Sequence, residues 1–377
     1  MVDGLRMASN KFIPIFTPYF KGNEKKYLNK CIDSEWISSQ GNFVKEFEQS
    51  FSKRMGCKYG ISTSSCTTAL HLALIASGIK AGDEVICPAL TFIAPANMIS
   101  LTGAKPVLVD SERETWGVDP LLIERKITGK SRAILVVHPF GHSAKMSEIL
   151  KIAKKYKLKL IEDTAEAPGA KYKNKILGSM GDIGCFSFFG NKIITTGEGG
   201  MIVTNNKKLK EKCETLRDHG MSQKKRYVHV DLGFNYRMTN MQAAVGLAQL
   251  QQLNNILKLR KRQKELYYSF LSTCKKITFR PEQPWCTAVH WLTTITFKNS
   301  RDRNGLMMYL KKKRIDVRPM IFPVHFAKHF SSEYSRDLFP ISTDISLKSL
   351  HLPSSTGLSK KEIERTCAEI KSLLAKK

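Results

Sequence analysis

Between Glu84 and Asp163 the chain alternates short β-rich runs with helical ones, and this rhythm narrows the open folds more than any other feature. Aliphatic and β-branched residues fill positions 84–87, 106–110, 133–138 and 158–163, with helical stretches such as 96–102 and 147–156 between them. Strands separated by helices can line up in one direction only if the helices cross over the sheet. The pattern therefore predicts a mainly parallel α/β sheet covered on both faces. In such a sheet the carboxyl ends of the strands share one edge, and ligands sit there. Three chemically able residues fall at those ends: Phe92, His138 in HPFGH and Asp163 in IEDTAEAPGA. An aspartate so placed is open to use as a metal ligand, a helix cap or the partner of a cationic ring nitrogen. No second acid or histidine stands at ligand spacing, so the last two uses are the stronger and no metal is expected.

Upstream, Ser65, Cys66 and Thr67 belong to a polar run, 62–68, that opens straight into the helical stretch 69–74. The first turn of a helix has unpaired N–H groups and the positive end of the dipole, which together favour an anion. The same residues would equally serve as a plain N-cap. His71, inside that helix, reads as a packed core residue. Downstream, CFSFFGNKIITTGEGG runs from an apolar strand through Lys192 into a glycine-rich turn and a second strand, 201–204. A strand fixes the lysine's stem and glycines let backbone approach a bound group, which suits a lysine that forms a Schiff base. Taken alone, a lysine in so basic a chain is more often a solvated charge.

Combined, these parts are an anion seat at 64–68, an aromatic at Phe92, a carboxylate at Asp163 and an anchored amine at Lys192. Pyridoxal 5′-phosphate asks for that set: a phosphate cradle, a face to stack on the ring, an acid for the pyridine nitrogen and a lysine for the aldehyde.

The same motifs resemble the DegT/DnrJ/EryC1/StrS sugar aminotransferases. The likeness runs from IPIFTPYF through EVICPALTFIA, IEDTAEAPGAKY and SFFGNKIITTGEGGMI to GFNYRMTNMQAAVGLAQL. It implies the aspartate aminotransferase (type I) fold, with Lys192 carrying the cofactor, Asp163 on the pyridine nitrogen and Glu166 facing the ring hydroxyl. It also implies Phe92 as the stacking aromatic and Ser65, Cys66, Thr67 and Ser187 at the phosphate. Asn235, in GFNYRM, is implied to reach the partner subunit's phosphate, which makes the active unit a homodimer with shared sites. Two positions test the likeness. The family usually has Ser-Gly-Thr where this chain has Ser65-Cys66-Thr67, and its dehydrating members have histidine in place of Lys192.

The activity so implied is amino transfer from glutamate to C4 of a nucleotide-linked 4-keto-6-deoxy sugar, with GDP-4-keto-6-deoxymannose the expected substrate. The alternatives are UDP- or dTDP-linked 4-keto-6-deoxyglucose, or a non-catalytic relative that binds the cofactor and regulates. Trp36 and Ser38 in WISSQG, with Arg318 and His325 in RPMIFPVH, are the expected walls for sugar and nucleotide.

The amphipathic run from 239 (Ala243, Ala244, Leu247, Leu250, Leu253, Leu257) turns basic at 258–264. It reads as the connection from a large cofactor domain, 1–250, to a smaller α+β domain, 251–377, with strands near 290–297 and 316–320 and a closing helix from 359. The net charge of +28 is compatible with nucleic acid, an anionic membrane or a phosphorylated substrate. No nucleic-acid module accompanies it, and the lysines are spread along helices apart from the block 311–314. The charge is therefore read as solvation plus attraction for a polyanionic small molecule. Nine cysteines without a CxxC pair, an opening stretch without a leader's apolar core and no run of membrane-spanning length point to the cytoplasm.

Overall fold

The computed structural model describes residues 11–375; the opening residues 1–10, which enter the reading about a leader, lie outside the described residues. The first part of the chain carries strands β1 (Tyr59–Thr63), β2 (Glu84–Pro88), β3 (Lys105–Val109), β4 (Ser131–Val137), β5 (Lys159–Asp163), β6 (Lys171–Tyr172), β7 (Lys175–Ile176), β8 (Ile183–Ser187) and β9 (Gly200–Thr204). Helices α1 (Glu24–Asp33), α2 (Asn42–Arg54), α3 (Cys66–Ala76), α4 (Ala94–Leu101), α5 (Pro120–Arg125), α6 (Met146–Lys155), α7 (Lys207–Arg217) and α8 (Asn240–Gln251) surround them. Seven strands form one sheet in the order β1-β9-β8-β5-β4-β2-β3. Only β9 runs against the others, since it pairs antiparallel with both β1 and β8. The remaining pairings in this sheet are parallel.

Period-two alternation sends successive side chains to opposite faces, and both faces are covered. Leu160, Ile134, Val136 and Phe186 pack toward α2 and α6 in one core. Ile161, Leu135, Cys185 and Ile202 pack toward α3, α4 and α7 in the other. The expected mainly parallel sheet flanked by helices is the one observed.

The later part contains α9 (Leu253–Leu271), α10 (Ser300–Lys312), α11 (Lys328–Ser331), α12 (Pro340–Lys348) and α13 (Lys360–Ala375). With them are β10 (Ile277–Phe279), β11 (Cys286–Thr287), β12 (Thr294–Phe297), β13 (Arg318–Pro319) and β14 (Ser349–His351). A second, antiparallel sheet has the order β10-β12-β14-β13 and its own core of Ile295, Leu306, Leu350 and Ile363. The amphipathic run from 239 is two helices rather than one. The ψ of −1° at Gln252 opens the turn there, and α9 begins immediately after it. The basic block 311–314 is exposed and spans the end of α10 and the two residues after it.

Candidate active site

Because β1, β2, β4, β5 and β8 run in one direction, their carboxyl ends form a single rim, and the antiparallel β9 begins there. Gly200 is the hub. It pairs with Ser187 on one side and Thr63 on the other, and a Cβ at this position would lie 2.4 Å from the Ser65 carbonyl oxygen. Only glycine lets the end of β1 and the start of α3 come this close to β9.

Ser65 caps α3: its Oγ accepts from the Thr68 N–H at 3.2 Å, while Thr68 Oγ1 accepts from the Ser65 N–H at 3.1 Å. The capping box spends the side chain of Ser65 on the helix itself. The amides of Cys66 and Thr67, in the first turn, have no acceptor within the helix and so remain donors suited to an anion. The two sequence-level readings of this turn, cap and anion seat, are thus compatible. Ser187, at the end of β8, stands across Gly200 from it, with its Oγ accepting from the Phe189 N–H.

Past β8 the chain doubles back through 188–199. Phe188 donates to the Gly199 carbonyl and accepts from Thr196, each at 2.9 Å, which closes the loop and puts Lys192 at its tip. The Lys192 Nζ stands 3.6 Å from Glu166 Oε1 and 3.8 Å from the ring centroid of Trp291. The other Glu166 oxygen accepts from the Phe140 N–H at 2.7 Å. Burial pushes the Glu166 carboxyl above the usual carboxylate range, with Lys192 pulling the other way. Asp163 ends β5 beside them. Its carboxyl is pushed up to about 6, chiefly by burial, and among the described residues its one hydrogen bond comes from the Ala165 N–H. A buried carboxylate with so few partners suits a protonated ring nitrogen.

Other expected residues sit as follows. Phe92, in the loop after β2, is 60% exposed, so much of its ring is uncovered. Cys66 is buried at the first position of α3, its thiol pushed well up by burial and by Asp163. Asn235 is exposed and bridged through its backbone to Asp218, and the next residue, Tyr236, accepts from the Ser64 N–H at 2.9 Å. Trp36 and Ser38 are exposed, and their carbonyls accept from Asn240 at the start of α8. No contact among the described residues joins them to Lys192. Arg318, exposed on β13, pairs with His351, whose ring lies 5.1 Å from that of Phe140. His325 is 1% exposed, donates to or accepts from Thr343 and stacks on Phe339, so it faces packed interior rather than an open wall. His138 belongs to the opposite face of the sheet from Asp163: its Nε2 lies 3.1 Å from Glu162, whose carboxylate also takes the N–H groups of Gly178, Met180 and Gly181. His71 is buried, its Nδ1 3.2 Å from the Tyr236 hydroxyl.

Phe140 and Trp291 escape the sequence reading. Phe140 lies within the HPFGH motif that drew attention to His138, so a signal existed and the wrong side chain received it. Trp291 comes from the loop between β11 and β12, and nothing in its surroundings in sequence marks it.

The profile of the DegT/DnrJ/EryC1/StrS aminotransferase family matches residues 18–371. The chain belongs to that family. It is an enzyme dependent on pyridoxal phosphate, and the buried acid, the lysine and the anion-ready helix start fit that group. The chain is 42% identical to a GDP-perosamine synthase of Escherichia coli O157:H7 over 97% of its own length and 100% of the relative's. It is also 42% identical to the GDP-perosamine synthase of Caulobacter vibrioides, over 96% and 98%. Among solved structures, S. venezuelae DesV in complex with a ketimine intermediate superposes with a TM-score of 0.89 at 30% identity, covering 93% of this chain and 94% of that one. A putative sugar aminotransferase of Streptococcus pneumoniae, Spr1654, in its PLP form, gives 0.92 at 25% identity over 97% and 99%. Among the described residues no helix is long and apolar enough to cross a membrane, and no group of three or more His, Cys, Asp or Glu could hold a metal.

Proposed function

We propose that this aminotransferase moves an amino group from glutamate to C4 of GDP-linked 4-keto-6-deoxymannose, giving GDP-perosamine. The observation that carries the choice of sugar is the near-full-length identity, 38–42%, to three GDP-perosamine synthases. The net charge of +28 is in keeping with a substrate that carries two phosphates.

In this reading Lys192 holds the cofactor and its Nζ moves the proton between donor and acceptor carbons. When bound, pyridoxal phosphate supplies an electron-withdrawing ring that takes up the electrons left when that proton departs. Asp163 keeps the ring nitrogen protonated, Glu166 meets the ring hydroxyl, and Phe92 covers one face. The amides of Cys66 and Thr67, with the hydroxyls of Thr67 and Ser187, hold the phosphate, while Ser65, whose hydroxyl is taken up by the cap, fixes the helix start that presents them. Trp36, Ser38 and Arg318 line the sugar and nucleotide. The buried ring of His325 supports that wall from behind rather than touching substrate, because its neighbours are Phe339 and Thr343. The intact lysine on the loop favours turnover over a purely regulatory role.

The active unit is a homodimer in the cytoplasm, with Asn235 of each copy completing the other's phosphate seat. Exposed Tyr227, Val228, Val230 and Leu232 flank that residue and give the partner an apolar surface to cover. The large domain ends near residue 250 and the small one occupies 251–377; the break at Gln252 supports that boundary.

The test is a side-by-side assay of GDP-, UDP- and dTDP-linked 4-keto-6-deoxy sugars, each generated in situ by its dehydratase, with glutamate as donor. Turnover of the GDP sugar is expected. Turnover of a UDP or dTDP sugar with none of the GDP sugar would overturn the substrate and leave the reaction class standing.

A further inference from the structure

Trp291 is fixed from several sides, more than packing an indole requires. Its Nε1–H donates to the Asn191 carbonyl at 2.6 Å, a bond between residues 100 positions apart that grips the peptide just before Lys192. Its carbonyl accepts from Arg260, a buried guanidinium on α9, at 3.3 Å. Its ring lies within 5° of parallel to that of Phe140, at 6.3 Å. The neighbouring Val289 donates to the Gly141 carbonyl at 2.9 Å. At Gly141 the φ of +86° and a would-be Cβ 1.7 Å from the Val289 oxygen leave room for glycine alone.

The consequence is geometric. Glu166 and Trp291, which both lie against the Lys192 ammonium, are braced on Phe140: Glu166 through the Phe140 N–H, Trp291 through the Phe140 ring. One loop at the end of β4 therefore sets the spacing between a carboxylate on one side of the amine and an aromatic face on the other. Trp291 is 6% exposed, so the cation–π contact is largely desolvated and correspondingly strong. A lysine side chain has much rotamer freedom to lose on being ordered. Here the Glu166 carboxylate and the Trp291 ring face restrict that freedom.

We propose that Trp291 is a positioning residue for Lys192: its ring face and its bond to Asn191 hold the amine aimed into the rim, so that an incoming aldehyde meets a pre-ordered nucleophile. This rests on Lys192 being the lysine that takes the cofactor. In the step concerned the Lys192 ammonium gives one proton to the Glu166 carboxylate 3.6 Å away; its nitrogen then forms a double bond to the aldehyde carbon, and the aldehyde oxygen leaves as water with the two remaining amine protons.

The experiment uses the full chain, stripped of cofactor, in wild-type form and as W291F and W291L. Phenylalanine keeps a ring face but loses the Nε1–H; leucine loses both. Stopped-flow absorbance gives the rate at which pyridoxal phosphate is captured. Equilibrium binding of pyridoxine 5′-phosphate, which has no aldehyde, reports the rest of the site. Borohydride reduction and peptide mapping identify the lysine. Capture is expected to slow roughly tenfold in W291L and less in W291F, in the range of a buried cation–π contact, while pyridoxine 5′-phosphate binds each variant within about twofold of wild type. Equal capture rates with the label on Lys192 would overturn this proposal alone. Parallel weakening of both ligands would overturn it in favour of a purely structural tryptophan. A label on another lysine would overturn this proposal and the reading it rests on together. Should W291L fail to fold, W291F against wild type decides by the same measures.

Discussion

The Glu166 carboxylate and the Lys192 ammonium face each other at 3.6 Å with side-chain exposures of 10% and 12%. At that burial neither charge is well served by water, so each depends on the other. Lys192→Ala should fold but release its cofactor on desalting, and turnover should fall by about 10²–10⁴-fold, the range for a lost proton-transfer group. The check is the absorbance of the purified protein together with the transamination rate. A Lys192→Ala protein that turns over at the wild-type rate would end its assignment.

Asp163 gives a prediction with a definite sign. Its folded carboxyl titrates near 6, above an ordinary aspartate's 3.8, because burial disfavours the charge. The folded cofactor-free protein therefore binds that proton more tightly than the unfolded chain does. This contribution to stability is complete below about pH 4 and is lost as the pH rises through 6. Asp163→Asn removes the charge and keeps an oxygen for the Ala165 N–H. Without cofactor, D163N should be more stable than wild type at pH 8 by about 1–3 kcal/mol, and the difference should vanish near pH 4. With cofactor the order of merit reverses: D163N should keep some cofactor yet lose most activity, since a neutral amide cannot keep the ring nitrogen protonated. Denaturant melts of both cofactor-free proteins at the two pH values decide it. A wild-type advantage at pH 8 would sink the idea.

How far the sequence carries depends on the distance over which each feature is encoded. The parallel sheet was legible because strand and helix periodicities are local, and because alternating runs leave one rim at the carboxyl ends. Asp163 and Lys192 were legible for the same reason: each ends or follows its own strand. Phe140 and Trp291 were not, because their importance lies in contacts to residues 26 and 100 positions away. His138 shows the converse. Its place after β4 made it a candidate, but the pleat that aims Asp163 at the site aims Glu162 at the other face, and His138 goes with Glu162. The small sheet was only partly readable: the runs near 290–297 and 316–320 contain β12 and β13, but β14 contains no β-branched residue and does not announce itself by propensity.

Gly141 should be intolerant of any side chain. A Cβ would overlap the Val289 carbonyl, and the backbone is in the left-handed region, so both strain and a lost Val289–Gly141 hydrogen bond follow. Gly141→Ala should cost about 2–4 kcal/mol of unfolding free energy and slow cofactor capture as well, because Phe140 and Trp291 move with it. Thermal melts and the capture rate would read this; a variant within about 0.5 kcal/mol of wild type would contradict it.

The last prediction concerns how the site is completed. Asn235 is exposed, and Leu232 nearby is 85% exposed. A leucine so exposed is poorly placed in water and well placed against a second copy. If each site takes Lys192 from one chain and Asn235 from the other, two inactive variants can complement. A heterodimer of Lys192→Ala and Asn235→Ala chains has one site with both residues intact and one with neither. In an equimolar, freely exchanging mixture about half the dimers are mixed, so about a quarter of all sites recover. The measurement is the transamination rate of the mixture against each variant alone, with native mass spectrometry to count mixed dimers. Mixed dimers without recovered activity would refute the shared site, and a fully active monomer in sedimentation would refute the dimer itself.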